Sequence, residues 1–519
     1  METKQTVQNP ILWTDYPDLD VIRVEDTYYM VSTTMHFMPG AVILRSYDLL
    51  HWEIASYVYD TLDSTPAQRL QGEKTIYGQG MWAASIRRHN GKFYICFVAN
   101  DTHKTYLYQS EKIEGPWKKQ NIAGFYHDNS LLFDDDGKIY IVYGNTEIHL
   151  TELCSDLSGP KPGGLDRIIV QDKENVCLGY EGSHIYKING HYYVFFIHWL
   201  ADGSKRRVEA CFYADSLTGE FTGGNVLDDD LGYFNAGVAQ GGIVDTPDGK
   251  WYAMLFQDRG AVGRVPVLVP VKWENDFPVL GVNGKVPQQL TAESTRPGYS
   301  YSPLAGSDNF QCQPDSCSNV HLKSFWQWNH EPNNSLWSVT ERPGHFRITS
   351  GKCCSSVEHA VNTLTQRMWG PACSACVTLD ASELQDGDCA GLCAFQGCYG
   401  YIAVAKDDGQ YFLVMTEKKA ENASAQGQPG TPPTEVARIP LDNPVVQLKL
   451  HVDFENEKDE AEFFYKEQST WRKLGITHKL YFKLDHFTGC RFALFLFSEK
   501  MSGGTADFSN FEYSCETAD

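Results

Sequence analysis

The feature that most constrains the fold is a pattern that recurs five times in the first half of the chain. Each copy has an apolar run, a polar turn rich in Asp, Asn or Gly, and a second apolar run that opens on an aromatic residue. The copies read DVIRVEDTYYMVSTT from Asp20, SIRRHNGKFYICFVAN from Ser85, SLLFDDDGKIYIVYGN from Ser130, HIYKINGHYYVFFIHW from His184 and GIVDTPDGKWYAMLF from Gly242. Each copy predicts a β-hairpin.

The spacing of the copies predicts how they are arranged. The aromatic residues that open the second runs are 47 to 65 residues apart, which is the size of a four-stranded sheet with variable loops. These residues are Tyr28, Phe93, Tyr140, Tyr192 and Trp251. Five such sheets arranged radially form a five-bladed β-propeller, which leaves few strand edges exposed.

The second half of the chain has a different pattern. The repeat ends after residues 265–273, and residues 294–318 are rich in Ser, Pro, Gly and Asp, as in a linker. From Phe325 onward, short alternating runs such as HFRITS, VQLKLHVDF and RFALFLF predict a β-sandwich of the jelly-roll, concanavalin-like type. The chain is therefore predicted to be all-β, with the propeller in 1–300, a linker in 301–320 and the sandwich in 321–519.

Charge and targeting signals exclude several classes of partner. The formal net charge of −22 disfavours nucleic acid. The polar opening residues contain no apolar signal region, and no long apolar stretch follows, so we expect a cytoplasmic protein without a membrane partner. A homo-oligomer is left open.

The cysteines predict free thiols rather than a disulfide framework. Their number, 15, is odd, and no export signal accompanies them. Cys373 and Cys376 form a CxxC motif, but the stretch is typical of a strand and no second pair completes a zinc site.

Acidic residues occupy the same point in three of the five repeats. Counted back from the five aromatic residues, Asp18 lies 10 residues before its aromatic residue, Asp128 lies 12 before and Glu181 lies 11 before. Trp82 and Gln240 occupy this point in the other two repeats. In a propeller this point is the start of the innermost strand, beside the axis. We therefore expect the five side chains to converge at one end of the channel.

Three converging carboxyl groups suit the cleavage of a glycosidic bond. Mutual repulsion and burial raise the pKa of one group, which can then donate a proton to the leaving oxygen. A second group, still ionised, attacks the sugar or activates a water molecule. Acids at strand starts are often turn or cap residues, but three at one register are harder to explain in that way.

Five segments resemble the glycoside hydrolases of family 43, which include β-xylosidases and α-L-arabinofuranosidases. The segments are NPILWTDYPDLDVIRV (9–24), MWAASIRRHNGKFYI (81–95), HDNSLLFDDDGKIYIVYG (127–144), EGSHIYKINGHYY (181–193) and GGIVDTPDGKWYAMLFQDRGAVGR (241–264). The resemblance covers essentially the whole chain and implies an inverting hydrolysis.

The resemblance also implies roles for the acids. Asp18 matches the general base that activates water, Asp128 matches the residue that orients the proton donor and tunes its pKa, and Glu181 matches the general acid. Asp20 is the alternative base, because this chain has Asp-Leu-Asp where many relatives have Asp-Pro followed by Ser.

Residues that contact the sugar are implied in the same way. Arg264 matches an arginine of the last blade that contacts the sugar, with Arg259 in reserve, although either could be a surface salt bridge. Trp82 matches a tryptophan of the sugar subsite, where an indole face packs on the ring, although a buried tryptophan is more often core. Phe37 and Met35 are weaker candidates for the same wall.

A metal ion is not required by this interpretation, and no cofactor is expected. Several relatives have a histidine near the axis in the fifth blade, where this chain has Gln240. An amide oxygen can still bind calcium, so Gln240 and Asp507 are weak candidates for a structural calcium site.

The implied substrate is an oligosaccharide derived from xylan or arabinoxylan, from which terminal β-D-xylose, α-L-arabinofuranose or both are released. The sandwich resembles a C-terminal module that closes one side of the pocket in some relatives, which favours exo-action. The sequence does not distinguish the two sugars.

Two alternative functions are weighed against this one. The first is a non-catalytic carbohydrate-binding propeller, which three mutually repelling acids disfavour. The second alternative is a glycoside phosphorylase, which would need a cationic phosphate pocket formed by Arg264, Arg259 or residues 205–207.

Overall fold

The computed structural model describes residues 5–173, 178–311, 321–419 and 432–516. Within these ranges the regular structure consists of β-strands and three short 3-10 helices. The 3-10 helices are Gly260–Val262, Val357–His359 and Glu455–Glu457. No helix in the described ranges is long and apolar enough to cross a membrane. The prediction of an all-β chain is confirmed.

The first half of the chain forms the predicted five blades. An initial strand, β1 (Gln5–Gln8), precedes them. Blade 1 contains β2 (Asp20–Val24), β3 (Thr27–Ser32), β5 (Gly40–Ser46) and β6 (Glu53–Tyr59), with the short β4 (Phe37–Met38) between its second and third strands. Blade 2 contains β7 (Met81–His89), β8 (Lys92–Ala99), β9 (Lys104–Ser110) and β10 (Lys118–Ile122). Blade 3 contains β11 (Ser130–Phe133), β12 (Ile139–Asn145), β13 (Glu147–Leu153) and β14 (Asp166–Gln171).

The last two blades follow the same plan. Blade 4 contains β15 (Glu181–Ile188), β16 (His191–Trp199), β17 (Arg207–Ala214) and β18 (Thr222–Leu227). Blade 5 contains β19 (Ala239–Asp245), β20 (Trp251–Asp258), β21 (Arg264–Glu274) and β22 (Phe277–Leu280). The strand β23 (Gln289–Ala292) lies after them.

Each blade is an antiparallel sheet of four strands in chain order. The five hairpins predicted from the repeat are the first two strands of the five blades, because one buried face per strand imposes the same alternation in every copy. The innermost strands of blades 5 and 1 meet in a parallel bridge between Leu19 and Gly241. Outside the blades β1 pairs with β23, and Asn9 donates a hydrogen bond to the carbonyl oxygen of Leu268 at 2.9 Å. These contacts close the ring.

The second half of the chain forms a β-sandwich. Its first strands are β24 (Gln327–Asn329), β25 (Trp337–Ser338), β26 (Phe346–Thr349), β27 (Leu364–Arg367), β28 (Ala372–Asp380), β29 (Asp388–Phe395), β30 (Gly400–Asp407) and β31 (Gln410–Glu417). The remaining strands are β32 (Thr434–Leu441), β33 (Val445–Asp453), β34 (Glu460–Glu467), β35 (Thr470–Lys473), β36 (His478–Lys479), β37 (Arg491–Ser498) and β38 (Thr505–Glu516).

The sandwich is joined to blade 1 through a shared sheet. One of its sheets has the order β32-β31-β30-β29-β37-β27-β24-β4, so the short strand from blade 1 is the last strand of a sandwich sheet. The other sheet has the order β25-β26-β38-β28-β33-β34-β35, with β36 paired to β34. Apolar side chains of the two sheets pack together in one core.

The chain enters the sandwich before residue 321. Asp308 pairs with Phe511, and Phe310 is completely buried in the sandwich core. Part of the predicted linker therefore belongs to the sandwich, while residues 312–320 lie outside the described residues.

The cysteines in the described ranges are all free thiols. Cys373 and Cys376 lie three positions apart on β28, and their side chains therefore project to opposite faces of the strand. Cys373 is buried and Cys376 is partly exposed, so this pair does not form half of a zinc site.

Candidate active site

The starts of the innermost strands share an unusual backbone conformation. The φ angles of Asp18, Asp128, Gly182 and Gln240 are +54°, +47°, +67° and +59°, in the left-handed region that L residues rarely adopt. Strand registers also shift between Glu181 and His184 and between Ala239 and Gly241. Such irregularities turn side chains away from the regular alternation of a strand, and they are common beside active sites.

Asp18 is held by an arginine from the fifth blade. Nη1 of Arg264 donates a hydrogen bond to Oδ1 of Asp18 at 2.6 Å, and both side chains are buried. Burial raises the pKa of Asp18, and the carboxylate of Asp128 raises it further, whereas Arg264 acts in the opposite direction. This ion pair keeps one oxygen of Asp18 in a defined place beside the second acid.

Asp128 and Glu181 are linked through His127. Nδ1 of His127 lies 3.7 Å from Oδ1 of Asp128, and Nε2 of His127 lies 3.6 Å from Oε2 of Glu181. Burial and the carboxylate of Glu181 raise the pKa of Asp128, against the effect of His127. The side chain of Asn145 donates a hydrogen bond to Oε2 of Glu181. The structure thus brings the three predicted acids into one cluster at the end of the propeller axis.

His127 is the second cation of this cluster. Its burial disfavours the charged imidazolium, but the carboxylates of Asp128, Glu181 and Asp18 outweigh this effect and raise the pKa of His127 to about 9. A protonated imidazole has no lone pair for a metal ion. Ligand atoms of His127, Asp128 and Glu181 lie within 4.8 Å of one another, so a metal ion bound here would have to displace this proton.

Several buried polar atoms of the site have no hydrogen-bond partner in the described part of the chain. They are Oδ1 of Asp128, Nε1 of Trp82, and Nε and Nη2 of Arg264. Buried polar groups are normally satisfied, so such a group of atoms suits a ligand rich in hydroxyl groups.

The sandwich contributes an aromatic side chain to the site. The ring of Phe487 lies 4.2 Å from the guanidinium carbon of Arg264, and its centroid is 5.6 Å from that of Trp82. Trp82 also lies 5.8 Å from the ring of His127. The loop between β36 and β37 therefore covers blades 5 and 2 where they approach the acids.

Sequence reasoning missed His127, Asn145 and Phe487. His127 directly precedes Asp128, and this position is the one signal that pointed to it. Asn145 ends β12, and Phe487 lies more than 300 residues from the acids, so no spacing connects them to the repeat.

The other predicted residues occupy different surroundings. Asp20 is fully buried, its Oδ2 accepts hydrogen bonds from the backbone of Ile86 and from Arg87, and its Oδ1 accepts one from Tyr186. Both of its oxygens are thus occupied, which favours Asp18 as the base. Arg259 lies between the rings of Trp13 and Tyr233, at 5.1 and 4.3 Å, and Arg264 is the arginine that contacts Asp18.

Phe37 and Met35 are almost completely buried, with 1% and 2% exposure. The guanidinium carbon of Arg491 lies 3.4 Å from the ring centroid of Phe37, so this ring packs against the sandwich. Met35 pairs with Met81 through an isolated bridge. Their predicted place in the wall of the sugar site stays a prediction.

Gln240 and Asp507, the two weak calcium candidates, have different hydrogen-bond partners. The backbone N–H of Gln240 donates to Oε2 of the buried Glu209 at 2.7 Å, which fixes this residue at the axis. Both oxygens of Asp507 accept hydrogen bonds from Arg347, and one also accepts from Arg342, each at 2.7 Å. Two guanidinium groups thus occupy the place that a calcium ion would need at Asp507, which argues against that prediction.

Comparisons with known proteins agree with this geometry. Residues 7–278 match the model of the glycosyl hydrolases family 43, and residues 315–514 match that of the β-xylosidase C-terminal concanavalin A-like domain. A β-xylosidase of Formosa agariphila is 27% identical over 98% of this chain and 90% of its own length.

Two solved structures extend the comparison. A bifunctional GH43-CE protein of Bacteroides eggerthii is 41% identical with a TM-score of 0.90 over 99% of this chain, which spans 64% of that longer chain. A GH43 glycoside hydrolase, engineered to display both endo-xylanase and exo-arabinofuranosidase activity, is 27% identical with a TM-score of 0.86, over 99% of this chain and 100% of its own.

Proposed function

The chain belongs to the glycosyl hydrolases of family 43, and from this premise we propose that it is an inverting, exo-acting enzyme on oligosaccharides derived from xylan or arabinoxylan. The sugar released is terminal β-D-xylose, α-L-arabinofuranose or both. The observation that carries the proposal is the meeting of Asp18, Asp128 and Glu181 in one cluster, with Asp18 bound to Arg264. The proposed reaction requires no cofactor. A cytoplasmic location and a homo-oligomer stay predictions.

In the proposed reaction, Asp18 accepts a proton from the attacking water molecule while Glu181 donates a proton to the leaving oxygen. The hydrogen bond from Arg264 leaves the second oxygen of Asp18 for the water. Arg264 also favours the ionised form of Asp18, which a base requires, against the burial of this carboxyl.

Asp128 acts on the donor through its neighbours. His127 lies between Asp128 and Glu181, and Asn145 donates to the same oxygen of Glu181 that faces His127. These contacts orient the carboxyl group of Glu181 toward the bond that is cleaved. Partial exposure of the Glu181 side chain, at 19%, leaves room for the leaving group.

The sandwich supports exo-action. Phe487 packs beside Arg264 and Trp82, so the site is covered on the side of blades 5 and 2. A site covered on one side accepts the end of a chain rather than its middle. The named relatives include a β-xylosidase and an enzyme with exo-arabinofuranosidase activity, and both sugars are therefore part of the proposal.

Phosphorolysis is disfavoured by the ion pairs of three candidate phosphate ligands. Arg264 is bound to Asp18, Arg206 is paired with Asp228 and Asp230, and Arg207 is paired with Asp258. A phosphate group would have to displace a carboxylate from each of these three arginines. Arg259, the remaining arginine of the candidate set, is buried between Trp13 and Tyr233 and donates to Oε1 of Gln257.

The stereochemistry of the first product tests the proposal. Aryl β-D-xylopyranoside and aryl α-L-arabinofuranoside are each incubated with the protein, and the anomeric proton of the released sugar is followed by NMR before mutarotation. We expect the anomer opposite to that of the substrate, in water and without phosphate. Release of the retained anomer would refute inversion, and cleavage that depends on phosphate would favour a phosphorylase.

A further inference from the structure

The segment that precedes the base Asp18 is bound to the sandwich at three successive residues. The contacts are Gly370 N–H to Trp13 O at 2.8 Å, Thr14 Oγ1 to Met368 O at 2.7 Å, and Arg367 Nε to Asp15 O at 2.8 Å. These partners all lie at or just after β27, at one edge of the sandwich. The segment 13–16 is therefore held from outside its own blade.

The carboxylate of Asp15 joins the same segment to both domains. Oδ1 accepts a hydrogen bond from the backbone of Arg264 and Oδ2 accepts one from the backbone of Gly489, each at 2.8 Å. A Cβ atom at Gly489 would lie 2.6 Å from Cβ of Asp15, so the packing is tight. Asp15 is thus hydrogen-bonded both to Arg264, which binds Asp18, and to the loop that contains Phe487.

Arg367 is the charged member of this contact. It is 3% exposed, its guanidinium carbon lies 4.2 Å from the ring of the fully buried Tyr16, and its Nη1 donates to Gln327 at 2.9 Å. Its two acceptors, the carbonyl oxygen of Asp15 and Oε1 of Gln327, are uncharged, and it forms no ion pair with a carboxylate in the part of the chain that the structure describes. Burying an unpaired guanidinium is costly, so its presence calls for a reason other than stability.

That reason lies in the backbone of Asp18. A non-glycine residue at φ +54° is strained by about 1 kcal/mol, and such strain persists only where the surrounding structure holds it. The N-terminal side of Asp18 is held by the three sandwich contacts, and its carboxylate is held by Arg264.

We propose that Arg367 is a positioning residue for the base: by holding Asp15 and Tyr16 from the sandwich, it sets the place of Asp18 relative to Arg264 and the attacking water. This inference rests on the proposed function, in which Asp18 activates water.

The test compares Arg367→Met and Arg367→Lys with the parent on aryl glycosides of good and poor leaving groups. For Arg367→Met we expect kcat to fall about 10- to 100-fold at nearly constant KM, because small displacements of a catalytic group are costly. The fall should be equal for both leaving groups, since water must be activated in either case. The acid limb of the kcat profile should move to higher pH as Asp18 loses its place beside Arg264, and Arg367→Lys should restore most of the rate.

Arg347→Met is the matched control, because Arg347 is another largely buried arginine of the sandwich and is bound to Asp507. It should lower Tm without moving the acid limb. The inference is overturned if Arg367→Met has the same kcat per folded molecule and the same acid limb as the parent, even if its Tm is lower.

The variant Asp18→Ala separates this inference from the proposed function. Full activity of Asp18→Ala refutes the assignment of Asp18 as the base. An inactive Asp18→Ala together with a normal Arg367→Met refutes only the role of Arg367.

Discussion

At the scale of single residues, the site is a set of acids whose charges are adjusted by two cations. Arg264 contacts Asp18, and His127 lies between Asp128 and Glu181. Burial alone would favour the neutral form of every carboxyl, so the place of each cation decides which acid is ionised. This division of protonation between close carboxyls is what acid and base catalysis in one site requires.

Glu181→Ala tests the acid. We expect kcat/KM to fall about 10²- to 10⁴-fold for poor leaving groups and much less for activated ones, whose departure needs little protonation. The measurement compares a dinitrophenyl glycoside with the matching oligosaccharide. Glu147→Ala, an exposed acid on β13, is the control and should match the parent on both. Equal losses on the two substrates would remove Glu181 from proton donation.

His127→Asn tests the second cation. The pKa of His127 is raised to about 9, so its positive charge is present at neutral pH and favours ionisation of the acids beside it. Without that charge the pKa of Asp128, which His127 lowers against the effect of burial, should rise, and the limb of the kcat/KM profile that reports this group should move to higher pH. His191→Asn is the control, because His191 faces Asp215 at the opposite end of blade 4. A limb that stays in place or moves downward would contradict this role.

At the scale of elements, the same hairpin forms the first two strands of all five blades, while the loops around it differ. The start of each innermost strand points its side chain to the axis, and the irregular backbone there allows blades 1, 3 and 4 to supply acids. The loop between β36 and β37 then adds Phe487 from another domain. Residues that determine substrate specificity often lie in loops, because the backbone of a loop is not constrained by the hydrogen bonds of a sheet.

Phe487→Ala tests this loop. Loss of the ring beside Arg264 and Trp82 should raise KM for oligosaccharides about tenfold, with a smaller effect on kcat, because in the proposed function this ring contacts the sugar rather than the reacting atoms. Steady-state kinetics on a xylo- or arabino-oligosaccharide provide the measurement. Leu484 of the same loop is 54% exposed, so Leu484→Ala should leave KM unchanged. An unaltered KM in Phe487→Ala would show that the loop does not bind substrate.

At the scale of the whole molecule, the two domains form one continuous structure. Strand β4 of blade 1 pairs with β24, and Arg491 of the sandwich packs on Phe37. Behind this contact, His36 lies 5.2 Å from His330 and 5.5 Å from His486, measured between ring centroids. Both ring nitrogens of His36 are buried without a hydrogen-bond partner among the described residues.

These histidines make the domain contact sensitive to acid. Burial and neighbouring positive groups hold the pKa of His36 and of His330 well below 6.5. Below pH 6.5 the unfolded chain therefore binds protons that the folded chain does not, and each histidine costs about 1.4 kcal/mol of stability per pH unit. His36→Phe should weaken the fall of Tm between pH 6.5 and 5, whereas His191→Phe should not. An identical fall in His36→Phe would exclude His36 as a source of the acid sensitivity.

The blades and the register of the acids could be predicted from the amino-acid sequence. Alternation within a hairpin is local, and its fivefold recurrence places Asp18, Asp128 and Glu181 at one point of the repeat without any knowledge of contacts. The family and the all-β fold follow from the same residues. Four contacts became visible in the folded chain alone. His127 lies between two acids, Phe487 reaches the site, Asp507 is bound by two arginines, and Arg367 holds the segment before Asp18. These contacts join positions that are far apart in sequence or have no periodicity, so the chain carries no local signal for them until the sandwich has packed against the propeller.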